Sequence, residues 1–365
     1  GKDFDQALLA DIFNAGYFNE ESNYMVTRIV AVLCFITMGR FLAISLIFSM
    51  ISFTGVWRLY RFFYEQYPQL HKQFAIAILY FPTFVFWSSG ILKDPLCTGA
   101  LGWITYSLYA IFYKKKNPLV YIPILAVFSY IIVVLKVYII VSYLPFFVLF
   151  LLLQNVSLIK NKFAKILLVG GLLIGSIVGF LDITKTMQQA MVGFTSGSVT
   201  QAIKNYQTNY ENQANVATSN FSLNVEFDGS AGSLIRMAPA AVIATLFRPY
   251  LWESKKLSTL LSSLESLALM LFTIFVVIKA GPKNCIKTII SKPIVLYCLL
   301  FSLIFALFVG ATTLNFGSLV RYKIPGMPFY VIALFFILYF NNKLKVKPGM
   351  VSTGQDVIGF NEVKS

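Results

Sequence analysis

Lys136 is the residue whose chemistry most needs an explanation. It is the one charged residue between Asn117 and Gln154, inside the stretch SYIIVVLKVYIIVSY. A lysine at the centre of a membrane helix costs roughly 2.5–3.5 kcal/mol. The apolar run is too long for one span and fits two, so we expect Lys136 at the tip of a tight hairpin, where that cost largely disappears.

Lys136 is one of a set of basic residues at the ends of apolar segments, in turns that otherwise carry little charge. Arginine offers paired donors to phosphate oxygens, and lysine supplies a compact positive charge. The set therefore indicates a site for a lipid-linked phosphate or diphosphate near one membrane face. The alternative is that each long side chain simply reaches the headgroups from a helix end. The residues are Lys93, Lys136, Arg236, Arg248, Arg321 and Lys323.

Carboxylates supply the second kind of chemistry. A base that activates a hydroxyl must be a carboxylate here, because the single histidine, His71, lies in a polar turn. Asp3 and Asp5 lie in GKDFD at the start of the chain, and Asp94 follows a lysine in WSSGILKDP. Glu265 lies inside an apolar segment, where ionisable groups usually face a protein interior or a cavity.

Each carboxylate also has a structural interpretation. Asp3 and Asp5 are equally typical of solvated loop charges. Asp94 could pair with Lys93 or cap the helix that begins at Pro95. Glu265 could be protonated and hydrogen-bonded to nearby serines.

The sequence predicts no metal site and no cofactor. The four cysteines fall singly, with no C-x-x-C pair, so neither a zinc site nor a disulfide framework is indicated. A single aspartate beside a lysine, as at Asp94, is a poor site for a divalent metal.

Composition predicts the fold class. The chain is 58% hydrophobic and 12% charged, against about 25% charged residues in ordinary soluble domains. Its apolar runs are long enough to cross a hydrocarbon core about 30 Å thick. We therefore expect an all-α, polytopic transmembrane bundle with additional external interfacial helices.

The apolar runs predict about nine spans, or ten if a further helix precedes Gly1. Basic residues cluster in alternate loops, which the positive-inside rule places in the cytoplasm. This puts the C-terminus inside and Gly1 outside, and it explains the net charge of +15 without a nucleic-acid partner. The expected spans are 41–62, 74–90, 96–113, 118–135, 137–153, 164–181, 257–279, 293–312 and 326–341.

Five regions follow from this topology. An external segment with an interfacial helix covers 1–40, and a first bundle of six spans covers 41–181. A large external loop, ending in a second interfacial helix, covers 182–256. A second bundle of three spans covers 257–341, and 342–365 forms a cytoplasmic tail.

Four short patterns resemble a known group of proteins. They are FPTFVFWSSGILKDPL, the KVY that follows a span, FRPYLWE before a span, and the late LVRYKIPGMPF. In layout and in these patterns the chain resembles bacterial membrane glycosyltransferases of the C-type fold superfamily, and the related O-antigen and exopolysaccharide polymerases. The resemblance extends over most of the chain.

The resemblance implies roles for several residues. It implies a sugar donor linked to polyprenyl phosphate or diphosphate, with Asp3 or Asp5 as the base in the first external loop. It further implies that Lys136, Arg321 and Lys323 hold the phosphate. The family often places acidic or metal-binding residues where this chain has Lys93 and Asp94, so metal dependence stays open.

The leading hypothesis is a glycosyltransferase or polymerase working at the external face of the bacterial inner membrane. Its expected partners are membrane lipids and a polyprenyl-linked glycan, and a protein partner is left open. A transporter or flippase for lipid-linked or anionic solutes is the first alternative. A non-catalytic subunit that docks a partner through its external loop is the second.

Overall fold

The computed structural model describes residues 21–154, 221, 223, 231–254 and 257–345, with isolated positions between 163 and 178. Within these residues the regular secondary structure is helical and includes no β-strand. The all-α prediction is confirmed for this part of the chain.

Residues 21–154, 231–254 and 257–345 form twelve α-helices, with two short 3₁₀ turns at Pro68–Leu70 and Leu251–Glu253. The first six are α1 Glu21–Thr37, α2 Phe41–Gln66, α3 His71–Ile78, α4 Pro82–Trp87, α5 Lys93–Phe112 and α6 Pro118–Gln154. The second six are α7 Ala231–Phe247, α8 Leu257–Ala280, α9 Pro282–Ser291, α10 Pro293–Thr312, α11 Phe316–Tyr322 and α12 Met327–Lys345.

Four of the described helices are long and apolar enough to cross a membrane. They correspond to Phe41–Gln66, Pro118–Gln154, Thr259–Ala280 and Pro293–Thr312. A fifth span is obtained if Phe316–Tyr322 and Met327–Asn342, which meet at a 62° bend, are counted as one. The protein is therefore a membrane-embedded helical bundle.

The prediction of nine spans is not supported. The expected span 74–90 is divided into α3 and α4, because Pro82 starts a new helix. The span 96–113 corresponds to α5, whose Gly, Ser and Thr content lowers its hydropathy and whose residues are mostly buried by protein. The span 164–181 lies largely outside the described residues, and 326–341 belongs to the bent pair.

The two predicted external interfacial helices are not supported either. They correspond to α1 and α7, and α1 packs against α2 and α6. Helix α7 packs into the bundle against α10, with Met237 and Ala241 buried. Gly310 of α10 allows this contact, because a Cβ there would lie 2.3 Å from the carbonyl oxygen of Ala241.

The chain reverses direction at Lys136, within the long helix α6. Lys136 has non-helical torsion angles (φ −154°, ψ 75°). Tyr121 and Tyr143 both contact the same turn of α5, through Tyr106 and Thr105 respectively. A continuous helix would separate Tyr121 from Tyr143 by about 33 Å. The two halves of α6 therefore run antiparallel, as the hairpin prediction requires.

Helix α5 is the central element of the first half of the bundle. Sixteen of its 20 residues are buried, and it packs against both α2 and α6. Where it crosses α2 the backbones touch: a Cβ on Gly102 would lie 1.9 Å from the carbonyl oxygen of Gly55, and one on Gly55 would lie 1.8 Å from that of Gly99. Glycine is thus required at this crossing. The crossing fixes the position of α5 against α2, and with it the position of Asp94 in the first turn of α5.

Aromatic side chains fill the core between α6, α10 and α12. The ring of Tyr143 lies 5.2 Å from that of Phe301 and 6.1 Å from that of Phe329, both in edge-on contact. Its hydroxyl donates to Thr105 Oγ1 at 2.7 Å. Edge-on ring pairs add about 0.5–1.5 kcal/mol beyond the area they bury, so this cluster joins the second half of the bundle to α5.

The helix crossing gives a direct test of the packing. Gly102→Ala should destabilise the protein by about 1–3 kcal/mol, because the new methyl group meets backbone that cannot move aside. Gly90→Ala is the matched control, since its Cβ would make ordinary contact with Leu92 at 3.6 Å. Thermal loss of the monodisperse peak in size-exclusion chromatography measures the difference. Equal midpoint temperatures for Gly102→Ala and Gly90→Ala would contradict the close approach of the α2 and α5 backbones.

Candidate functional site

Three of the predicted site residues meet in one buried cluster. Lys136 Nζ donates to Asp94 Oδ1 at 2.6 Å. Arg321 donates to Asp94 Oδ2 through Nε at 3.2 Å and Nη2 at 2.9 Å. We call this arrangement of Asp94, Lys136 and Arg321 the Asp94 cluster. It brings together residues separated by 42 and 227 positions in the chain.

Each member of the Asp94 cluster lies where a helix begins, breaks or ends. Asp94 is in the first turn of α5, where the helix dipole favours a negative charge. Lys136 occupies the break in α6. Arg321 is in the last turn of α11, where the dipole favours a cation. Asn315 fixes the start of α11, since its side chain accepts from the amides of two following residues.

Two aromatic rings complete the surroundings of the cations. Lys136 Nζ lies 4.1 Å from the centre of the Tyr322 ring. Arg321 Cζ lies 5.2 Å from the centre of the Trp87 ring. Cation–π contacts contribute about 0.5–2 kcal/mol, with the larger values in desolvated places. Together with the ion pairs, they hold both cations in defined positions.

Exposure distinguishes the three members of the Asp94 cluster. The side chain of Asp94 is 1% exposed and that of Lys136 is 9%, whereas that of Arg321 is 31%. One carboxylate faces two cations, so the cluster keeps one net positive charge. The Arg321 guanidinium has five N–H donors, and within the described part of the chain only its Nε and Nη2 make hydrogen bonds. Arg321 is therefore the member that can contact an anionic ligand.

Asp94 is poorly placed to act as a base. Both of its oxygens accept hydrogen bonds from cations, and it would have to break these to take a proton. Pairing with its neighbour Lys93, one of the two structural alternatives, is not observed, since the partners of Asp94 are Lys136 and Arg321. Lys93 Nζ donates to Ser22 Oγ at 2.7 Å.

The remaining predicted cations lie elsewhere. Lys323 is buried and donates to the Arg248 carbonyl oxygen and to Ser266 Oγ, both at 3.2 Å. Arg248 pairs with Glu253 and lies over the Phe221 ring at 4.4 Å. These contacts fix the loop after α7 to α8 and α11. Arg236 is an exposed residue of α7, and Asp3 and Asp5 lie outside the described residues.

A mainly apolar cavity of about 760 Å³ lies beside the Asp94 cluster. Trp87, which covers Arg321, is also part of the cavity wall. On α8 the lining extends from Leu261 to Phe272, about 16 Å along the helix. Volumes of roughly 300–1,000 Å³ are typical of small-molecule sites, so this cavity, which we call the Trp87 groove, is large enough for a ligand chain.

Glu265 is the acidic residue of the Trp87 groove. Its Oε2 accepts from the backbone amide of Thr83 at 2.7 Å, in the first turn of α4. Thr83 and Trp87 are one turn apart, about 6 Å along the axis. Helix α4 therefore contacts Glu265 in its first turn and Arg321 at its last residue, Trp87.

Sequence reasoning did not find the groove or the contact of Tyr322 with Lys136. Trp87 was visible in the sequence as an aromatic residue close to Asp94, in FPTFVFWSSGILKDPL. Its contact with Arg321 joins residues far apart in the chain, and no local pattern encodes it. Within the described residues, no group of three or more His, Cys, Asp or Glu side chains that could hold a metal is present.

Comparisons with protein-family models, with curated proteins and with solved structures give no match for this chain. Functional inference therefore rests on the geometry of the Asp94 cluster and the Trp87 groove.

Removal of the shared carboxylate tests the cluster. Asp94→Asn leaves Lys136 buried without a counter-charge, which should cost about 3–5 kcal/mol. Lys136→Met should lower the stability less, because Asp94 still pairs with Arg321. The double variant Asp94→Asn/Lys136→Met removes the uncompensated charge and should recover part of the loss. Thermal unfolding of the purified variants measures all three, and a double variant less stable than Asp94→Asn would contradict the pairing.

Proposed function

We propose that this protein is a membrane glycosyltransferase or polysaccharide polymerase that uses polyprenyl-phosphate- or diphosphate-linked glycan. The observation that supports this most strongly is the position of Arg321. It is the most exposed member of the Asp94 cluster, and its ring contact, Trp87, also lines a long apolar groove. An anionic headgroup joined to a long apolar chain fits this combination.

The Trp87 groove is suited to the hydrocarbon part of such a donor. Its walls come from α3, α4, α8 and α12, and most of its lining is aliphatic or aromatic. Helix α8 is one of the helices that are long and apolar enough to cross the membrane. A lipid chain can therefore enter sideways from the bilayer and needs no passage through water.

Arg321 has the chemistry to stabilise the leaving phosphate. In glycosyl transfer, an acceptor hydroxyl attacks the anomeric carbon while the bond from that carbon to the phosphate oxygen breaks. The phosphate leaves with the bonding electrons, and its negative charge grows beside the guanidinium. Asp94 and Lys136 act as positioning residues in this proposal, because they hold Arg321 and do not contact the donor themselves.

A carboxylate must take the proton of the acceptor hydroxyl. Asp3 is the proposed base, with Asp5 as its neighbour, because the resemblance to C-type glycosyltransferases implies an acidic residue in the first external loop. Glu265 is the alternative base, since it lines the groove and accepts from the amide of Thr83, which lies one helical turn from Trp87. Separate Asp3→Asn and Glu265→Gln variants distinguish them: loss of turnover with donor binding retained identifies the base.

The proposed location is the external face of the bacterial inner membrane, with the C-terminus in the cytoplasm. The distribution of basic residues among the loops supports this orientation. It places the Asp94 cluster near the outer boundary, where a translocated lipid-linked glycan would be found.

Binding and transfer assays test the proposal with Arg321 as the central residue. A contact between arginine and phosphate is worth about 1.5–3 kcal/mol, so Arg321→Ala should weaken binding of polyprenyl phosphate about 10–100-fold. The affinity of Arg321→Lys should lie between that of the wild type and that of Arg321→Ala, because lysine keeps the charge and loses the paired donors. Lys287→Ala changes an exposed cation on α9 and is the matched control. Native mass spectrometry in nanodiscs measures the binding.

Radiolabelled polyprenyl phosphate and diphosphate sugars then test turnover. Formation of a glycosylated product by wild type, with loss in Arg321→Ala, supports the transferase. Binding with movement of the lipid between leaflets and no product would favour a flippase instead. Absence of binding, together with a stoichiometric co-purifying protein, would favour the non-catalytic subunit.

A further inference from the structure

A second carboxylate holds two cations at the far end of α5. Glu65 Oε1 accepts from Arg61 Nη2 at 2.7 Å and Nε at 3.1 Å, and from the Tyr106 hydroxyl at 3.2 Å. Lys114 pairs with the same carboxylate. From Asp94 to Phe112, its last residue, α5 is about 27 Å long, close to the thickness of a hydrocarbon core. The two clusters therefore lie at opposite ends of α5.

A pocket of about 600 Å³ opens beside this second cluster. It is lined by Trp57, Tyr60, Arg61, Tyr64, Pro68 and His71. Arg61 keeps 39% of its side chain exposed, although Glu65 is its partner. The pocket thus combines a fixed, accessible cation with an aromatic surface.

The aromatic surface continues from the pocket along α2. The Tyr64 ring lies 5.9 Å from that of Tyr60, which lies 5.2 Å from that of Trp57, and Phe53 follows at 6.2 Å. Trp57 and Tyr64 are each 42% exposed. From Phe53 to Tyr64 this wall of rings is about 16 Å long, and it lies on a helix long and apolar enough to cross the membrane.

The charge around the pocket favours an anionic occupant. Glu65 is shared by Arg61 and Lys114, so this cluster also keeps one net positive charge. Lys115 and Lys116 follow in an exposed turn. Aromatic rings beside basic residues are typical of the level of the lipid headgroups.

We infer that this pocket binds an anionic phospholipid, with its phosphate at Arg61 and one acyl chain along the rings from Tyr64 to Phe53. Arg61 supplies paired donors for phosphate oxygens, and the flat wall of rings supplies apolar contact for the chain. The inference does not depend on the proposed transferase activity, because it concerns the other end of the molecule.

Lipid retention in native mass spectrometry tests this inference. Protein reconstituted with equal amounts of phosphatidylglycerol and phosphatidylcholine should retain phosphatidylglycerol about tenfold more strongly. Arg61→Ala should remove most of that preference, and Arg61→Lys should keep part of it. Arg58→Ala is the matched control: it removes a cation on the same helix that lies over Trp103 and Tyr106 and does not line the pocket.

Two further measurements make the result decisive. Tyr64→Ala should weaken retention of both lipids, because it shortens the ring wall, and soluble glycerol phosphate should not compete at the same concentration. Equal retention of the two lipids by wild type would overturn the inference, and this comparison stands even if a variant fails to fold. Equal loss of preference in Arg58→Ala and Arg61→Ala, or effective competition by glycerol phosphate, would also overturn it.

Discussion

The ion pairs of Asp94 are the interaction on which the arrangement of this protein depends. A carboxylate that is 1% exposed is stable inside a protein only when counter-charges and hydrogen-bond donors surround it. Lys136 and Arg321 supply both, and in doing so they bring the hairpin of α6 and the end of α11 to the start of α5. The geometry of the candidate site is therefore a consequence of neutralising one buried charge.

The position of Asp94 depends in turn on close packing between helices. Gly55, Gly99 and Gly102 let α2 and α5 touch through their backbones. This contact sets the position of the first turn of α5 relative to α2. Tyr143 then ties the returning half of α6 to α5 and to the aromatic core. Interiors packed this densely have little room to adjust, so the cations reach Asp94 in one defined arrangement.

Both ends of α5 carry the same kind of ion-pair cluster. Asp94 at one end and Glu65 at the other each hold two cations, and each group keeps one positive charge with an accessible arginine. Beside each arginine lies an aromatic side chain and then an apolar surface, the Trp87 groove or the ring wall of α2. A positive charge next to an apolar surface suits a ligand with an anionic headgroup and an apolar chain. The proposed lipid-linked donor and the proposed phospholipid are both ligands of this kind.

Local sequence determined the helical class, the membrane setting and the reversal at Lys136, because run length and isolated charge are properties of neighbouring residues. It also identified Asp94, Lys136 and Arg321 as unusual, since each interrupts an apolar context. It overestimated the spans, because the apolar runs at 74–90 and 326–341 do not show that Pro82 starts a new helix or that α11 and α12 bend. Only the tertiary structure paired Asp94 with Arg321, 227 positions away, and placed Lys323 apart from them. Helix packing determines which charged residues come close enough to pair. That packing depends on contacts between residues far apart in the chain, which no local sequence pattern shows.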